Sequence, residues 1–229
     1  MTPSLQALAT ANPPFYTTQK DAYEFFSAKF DLDPATDQLY RRLLLASPIR
    51  GRFIGIDKMS DAGETDPDRL NVRFLKYARR TAAAAARKAM DQARLSARDI
   101  GVLVVNTCTG YLCPGLTSYL TEDLGLGADI RTLDIAGMGC GGALPNLQAA
   151  SGLLALDAER PILSIAVEIC SATLFMGPDP AQSLEKAHQL LRAAAGELHR
   201  GERPQELQRN AVRRLDLLAH PGTGAVHLR

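Results

Sequence analysis

Ile130-Arg-Thr-Leu-Asp-Ile135 leads straight into Ala136-Gly-Met-Gly-Cys-Gly-Gly-Ala-Leu-Pro145, and a helical pattern follows through Leu147, Ala150, Leu153, Leu154 and Leu156. A strand-like run thus passes through a glycine-rich cysteine turn into a helix-like one. The glycines around Cys140 let the backbone turn sharply and let another molecule approach closely. A thiol at the start of a helix meets unpaired N–H groups and the positive end of the helix dipole, which favour its thiolate and suit it to attack acyl carbonyls. The same amides suit the oxyanion that such an attack creates. The alternative reading is a small buried cysteine packed in a glycine turn. Pro145 bears on the helix start, because an internal proline loses a ladder hydrogen bond and crowds the preceding turn. The helix is therefore expected to begin a residue or two after Cys140.

Working outward, Ile100-Gly-Val-Leu-Val-Val-Asn106 is an apolar, β-branched run with turn signals on both sides, and it reads as a buried strand. Pro161-Ile-Leu-Ser-Ile-Ala-Val167 reads as a third. Residues 71 to 94 show an apolar stripe at Phe74, Leu75, Ala78, Ala82, Ala86, Ala89 and Ala93, which predicts a helix with a close-packed, alanine-rich centre. Pro114 to Gly125 predicts a short helix, with proline in its first turn and glycine at its end. Strands alternating with helices imply an α/β fold: a mostly parallel sheet covered on both sides. Ligands in such sheets gather at the carboxyl ends of strands. The loops Thr107 to Cys113, Ala136 to Gly139 and Glu168 to Pro178 all follow strands and are expected to line one pocket, with Cys140 at its floor.

The chain has 229 residues, 46% of them hydrophobic, enough to bury a sizeable core. A formal charge of +1 gives no reason to expect nucleic-acid or membrane binding. The first residues lack the basic and apolar regions of a signal peptide, and no uncharged apolar stretch reaches membrane-spanning length, so a cytoplasmic location is expected. Cys108, Cys113, Cys140 and Cys170 then read as reduced thiols. Cys108 and Cys113 lack a histidine or further cysteine at finger-like spacing, so no metal site is expected.

Taken together, Ala9-Thr-Ala-Asn-Pro13, Ser47-Pro-Ile-Arg-Gly-Arg52, Val105-Asn-Thr-Cys-Thr-Gly-Tyr-Leu-Cys-Pro-Gly115, Gly137-Met-Gly-Cys-Gly-Gly142 and Val167-Glu-Ile-Cys-Ser-Ala-Thr173, ending with Gly177-Pro178, resemble in order and spacing the N-terminal half of a type III polyketide synthase. This is the chalcone and stilbene synthase family of thiolase-like condensing enzymes. The resemblance spans residues 5 to 178. It implies that Cys140 accepts a starter acyl group from acyl-CoA, and that malonyl-CoA extends it by decarboxylative Claisen condensation. It also implies a homodimer and no metal or redox cofactor, coenzyme A thioesters being the substrates. Arg42 falls where the family carries a basic residue for the coenzyme A phosphates. Leu39 and Ala46 stand where relatives carry lysine, so a solvated helix face is an equal reading for Arg41 and Arg42. Cys108, Thr109 and Cys113 match positions that shape the starter pocket or dimer contact, with small-residue packing as the alternative. Thr173 matches a cavity-lining position, or is a strand-end residue bonding its own backbone. Cys170 reads as structural.

In the family, a histidine and an asparagine of the C-terminal half complete the site, and a Gly-Asp-Gly-Ala segment supplies a cavity phenylalanine. None stands in matching context here. Residues 181–229 contain no aromatic residue, hold all four histidines (His188, His199, His220, His227), and are rich in arginine. Residues 1–178 therefore read as the thiolase-like domain, and 179–229 as an atypical helical tail, truncated or frame-shifted. His220-Pro-Gly222 echoes the family's His-Pro-Gly without its next glycine, and reads as a surface histidine. Two functions stand from different classes: an acyltransferase chain that retains the nucleophile, or a non-catalytic half-domain serving as an interaction partner or decayed remnant. A condensing enzyme using acyl carrier protein is a third, against which the Thr107-Cys-Thr-Gly110 loop and Pro114-Gly115 argue.

Overall fold

The computed structural model describes residues 4–46, 48–156 and 160–174, with Cys140 described by its main chain alone. Its centre is a three-stranded parallel sheet in the order β4-β3-β5, formed by β3 (Val102–Thr107), β4 (Arg131–Ala136) and β5 (Ile162–Ala166). Val102 lies opposite Arg131 and Ile162, Thr107 opposite Ala136, and Asn106 opposite Ala166, so the three strands end at one level. This is the expected α/β architecture, and it brings the carboxyl ends of all three strands to one edge.

Every residue of β3 from Val102 to Asn106 is buried, because helices cover both of its faces. Leu103 and Val105 join Phe74, Tyr77 and Ala82 of α3 (Pro67–Ala93) and Leu120 of α4 (Leu116–Leu124) in one cluster. Val102 and Val104 face the other way, against Ala150 and Leu154 of α5 (Ala143–Leu156). The alternation follows from the two-residue period of a strand. Ala82, Ala83 and Ala86 are buried, as the close-packed centre of α3 requires. That helix starts at Pro67 rather than Asn71, because Asp66 caps it: the Asp66 carboxylate accepts from the Asp68 and Arg69 amides at 2.8 and 3.3 Å, with proline at the first position.

Three expectations need correction. Pro114 precedes α4 instead of opening it; the Cys113–Pro114 bond is cis, Gly115 is extended, and the helix begins at Leu116. Gly125 does end α4, at φ 64°. Leu156 is 80% exposed and no part of the core. Among the described residues of α5 only Asn146, Ala150 and Leu154 are buried, although the sequence is apolar around most of its circumference. Finally, the two-sided cover ends at β4, where Arg131 to Asp134 are exposed and Ile135 is half-buried. Pro145 sits in the first turn of α5, which starts three residues after Cys140.

A second layer comes from the N-terminal part. β1 (Phe15–Thr18) and β2 (Gly51–Ile54) pair antiparallel. Between them, α1 (Gln19–Lys29) starts on a Thr18–Asp21 capping box. Next comes α2 (Pro34–Tyr40), capped by Asp33 and continued by a π-helical segment, Arg41–Leu45. Tyr23, Phe26 and Tyr40 form its core, with Leu43, Leu44 and Leu174 against them. Burial pushes the Tyr40 phenol up to about 12.

Candidate active site at the strand tips

The loop after β3 and the loop after β5 are fastened to each other by one carboxylate. Glu168 accepts from the Cys108 amide through both oxygens, at 2.9 and 3.0 Å, and from the Thr109 hydroxyl at 2.8 Å. The Thr109 hydroxyl oxygen in turn accepts from the Ile169 amide at 2.9 Å. The two loops therefore hold a single relative position. Behind them, Arg73 donates to the Ser171 carbonyl at 3.1 Å and to the Asp61 carbonyl, and the Gly55 amide donates to the Ser171 hydroxyl at 2.9 Å. Burial draws the Arg52 guanidinium below its ordinary value, and neighbouring Cys170 partly offsets this.

The loop after β4 meets the loop after β3 at Gly137, where an added Cβ would lie 3.4 Å from the Tyr111 hydroxyl. Gly137 and Gly139 have φ of 74° and 64°, which only glycine adopts freely. These are the sharp turns expected around the cysteine. Gly139–Gly141 forms a short 3-10 turn with Cys140 at its middle; the Gly142 amide bonds the Gly139 carbonyl, and the Asn146 amide bonds the Gly142 carbonyl, each at 3.1 Å. Cys140 therefore precedes α5 in a turn of its own. Its sulfur lies outside the described residues, as do Gly177-Pro178, the four histidines and the whole of residues 179–229.

The other residues singled out from sequence divide. Cys108, whose amide bonds Glu168, is half-buried, and Cys113 and Cys170 are exposed; none of the three is in a disulfide among the described residues. The Thr173 hydroxyl donates to the Cys170 carbonyl at 2.9 Å, so it does bond its own backbone, but as the residue closing the 3-10 turn Cys170–Ala172 and not at the end of β5, which stops at Ala166. Arg42 belongs to the N-terminal layer, apart from the strand-tip loops, and is exposed beside a shallow depression of about 650 Å³ that Gln38, Leu39, Arg41 and Ala46 help to line. Arg41 is bound to Asp37 at 2.7 Å and lies over the Tyr23 ring, whereas Arg42 makes no ion pair among the described residues. Leu174 packs against the Tyr23, Phe26 and Tyr40 cluster, as Leu43 and Leu44 do, which connects this layer to the segment after β5.

Sequence reasoning missed Glu168 as the clamp, and it missed a buried amide pair, Asn106 on β3 and Asn146 on α5. Each polar residue in an apolar run was a signal; Asn106 closes Val102-Leu-Val-Val, and Asn146 interrupts Ala143-Leu-Pro.

The family model described as "FAE1/Type III polyketide synthase-like protein" matches residues 58–205, a range that runs past the change of composition near residue 180. The 1,3,6,8-tetrahydroxynaphthalene synthase of Streptomyces peucetius subsp. caesius is 32% identical over 172 residues, 75% of this chain and 45% of that protein. The phloroglucinol synthase of Pseudomonas fluorescens is 30% identical over 156 residues, 68% of this chain and 43% of that one. Among solved structures, the 1,3,6,8-tetrahydroxynaphthalene synthase of Streptomyces coelicolor A3(2), a bacterial type III polyketide synthase, superposes with a TM-score of 0.71 at 25% identity, covering 81% of this chain and 53% of that one. The chain spans about half the length of these relatives.

Proposed function

This chain belongs to the FAE1/type III polyketide synthase-like family, and from that premise we propose that it is the nucleophile-bearing half of a polyketide-forming acyltransferase. The observation that carries the proposal is the level ending of β3, β4 and β5, which sets the glycine-flanked Cys140 turn beside two loops fixed by Glu168.

In this reading the Cys140 thiolate attacks the carbonyl of an acyl-CoA, the tetrahedral oxyanion collapses, and the coenzyme A thiolate leaves with a proton from solvent. Malonyl-CoA then loses CO2, and the electron pair of the broken carbon–carbon bond becomes an enolate. The enolate carbon bonds the acyl carbon, and the cysteine thiolate departs. The chain grows by two carbons on coenzyme A, with no net oxidation and no metal or redox cofactor. Arg42, exposed and without an ion pair among the described residues, is the group proposed for the phosphates of coenzyme A. A second copy of the chain is the proposed partner, along β4, the edge strand of the sheet among the described residues.

A second reading is favoured by one observation: within these 229 residues the histidine and asparagine that the resemblance implies have no counterpart in matching context. In that reading it is a non-catalytic half-domain. Incubation with acyl-CoA and malonyl-CoA separates the two. The acyltransferase reading predicts free coenzyme A and CO2 whose release is abolished in Cys140→Ala. Equal background release from both proteins would leave the half-domain reading standing.

A further inference from the structure

Between β3, β5 and α5 lie three polar side chains that the proposed chemistry does not use. Asn146 is 0% exposed and Asn106 3%. Asn146 Nδ2 donates to the Ile165 carbonyl at 2.9 Å and to Asn106 Oδ1 at 2.8 Å, while the Ser164 hydroxyl donates to Asn146 Oδ1 at 2.7 Å. A main-chain carbonyl only accepts, so Ile165 dictates which end of the Asn146 amide faces β5. The second N–H of that nitrogen then requires the oxygen of Asn106. Asn106 Nδ2 is thereby turned away from Asn146 and toward the cysteine turn, where a Cβ added at Gly142 would fall 2.7 Å from it.

Gly142 closes the turn that carries Cys140, and its carbonyl accepts the Asn146 amide at 3.1 Å. Asn146 therefore bonds the turn directly by its main chain, and its side chain orients Asn106, whose Nδ2 packs closely against Gly142. Buried amides are costly unless satisfied, and a satisfied chain of them selects one arrangement where an apolar contact would tolerate several. The orientation begins at β5 and is passed to the tip of β3, which makes the turn answer to both strands.

We propose that the Asn106–Asn146–Ser164 chain is a positioning device for the Cys140 turn, setting the height of the turn over the tip of β3 and hence the reactivity of the thiol. The proposal rests on the reading of Cys140 as acyl acceptor. These are positioning residues, since none is assigned a contact with substrate. Their effect runs through the placement of sulfur relative to the first amides of α5, on which thiolate stability depends.

The test is the rate of iodoacetamide alkylation of each cysteine in the full chain, followed by peptide mass spectrometry across the pH range in which thiols ionise. Wild type, Asn106→Leu, Asn146→Leu and Ser164→Ala are compared, with exposed Cys113 as internal reference and circular dichroism as the check on folding. Asn146→Leu and Asn106→Leu are expected to slow Cys140 about tenfold near neutral pH and to move its titration midpoint upward by about one unit. Ser164→Ala, which keeps both amides, is expected to slow it about threefold, leaving Cys113 unchanged. Cys140 rates equal to wild type in the folded variants would overturn the proposal. Should the leucine variants fail to fold, an unchanged rate in Ser164→Ala overturns it alone. Wild-type Cys140 reacting no faster than Cys113 would remove the nucleophile reading itself, an outcome distinct from a fast wild type with equally fast variants.

Discussion

Glu168 receives the Cys108 amide on both of its carboxylate oxygens, at 2.9 and 3.0 Å, and by this contact the loop after β5 fixes the loop after β3. Glu168→Ala leaves that amide and the Thr109 hydroxyl without their acceptor, which is expected to cost about 2 kcal/mol, because an orphaned polar group loses more than an average bond contributes. Glu168→Gln keeps one acceptor oxygen and is expected to fall between the two. Urea denaturation of the three proteins measures this; an alanine variant as stable as wild type contradicts the clamp.

Asp134 on β4 caps α4 from outside the helix. Its carboxylate accepts the Thr117 amide at 3.1 Å and the Thr117 hydroxyl at 2.5 Å, while Gly115, the residue in the cap position, has no side chain to do so. Asp134→Ala is expected to cost about 1 kcal/mol, as cap removals do. A Cβ at Gly115 would lie 2.2 Å from the same carboxylate, so Gly115→Ala should destabilise wild type and lose most of that effect in the Asp134→Ala background. Additive effects in the double variant would contradict the arrangement.

Arg79 binds Asp123 through two bonds, at 2.8 and 2.6 Å, and this contact holds the Asp123 carboxyl below its ordinary value. A carboxyl whose folded pKa is depressed contributes stability above its unfolded value, and that contribution is lost as pH falls through the folded one. Thermal stability is therefore expected to fall as the medium is acidified below about pH 4, and Asp123→Asn should flatten that acid limb while lowering stability at neutral pH by about 1 kcal/mol. Parallel acid limbs in the two proteins would contradict the assignment.

Among the described residues β4 pairs only with β3, and this edge position with the exposed leucines Leu133 and Leu144 predicts self-association. Sedimentation velocity is expected to show a dimer, and Leu133→Lys to shift it toward monomer by placing a charge on the pairing edge. A compact wild-type monomer over the accessible concentration range would contradict a partner at this edge.

The elements legible in the sequence were those whose burial is uniform. Val102 to Val105 could be read as a buried strand because helices cover both of its faces and every position is apolar. The turn at Cys140 was legible because Gly137 and Gly139 have the positive φ their residue type permits. Leu156 misled, since an apolar helix carries no mark of which face its neighbours fill. The start of α3 was encoded in Asp66-Pro67 and α1 in Thr18 and Asp21, both short-range capping signals that hydrophobic periodicity alone passes over. Glu168 with Cys108, and Asn146 with Asn106, stayed out of reach for another reason. Each pair is distant in sequence and is joined only once the parallel register of β3 and β5 is known.

The most direct test of the central claim is intact-protein mass spectrometry after brief exposure to an acyl-CoA, comparing wild type with Cys140→Ala. Wild type should gain the mass of one acyl group, removable by hydroxylamine as a thioester, with the modified peptide containing Cys140, and the alanine variant should gain nothing. A wild-type protein that stays unmodified, or an adduct that persists in Cys140→Ala, would contradict the account.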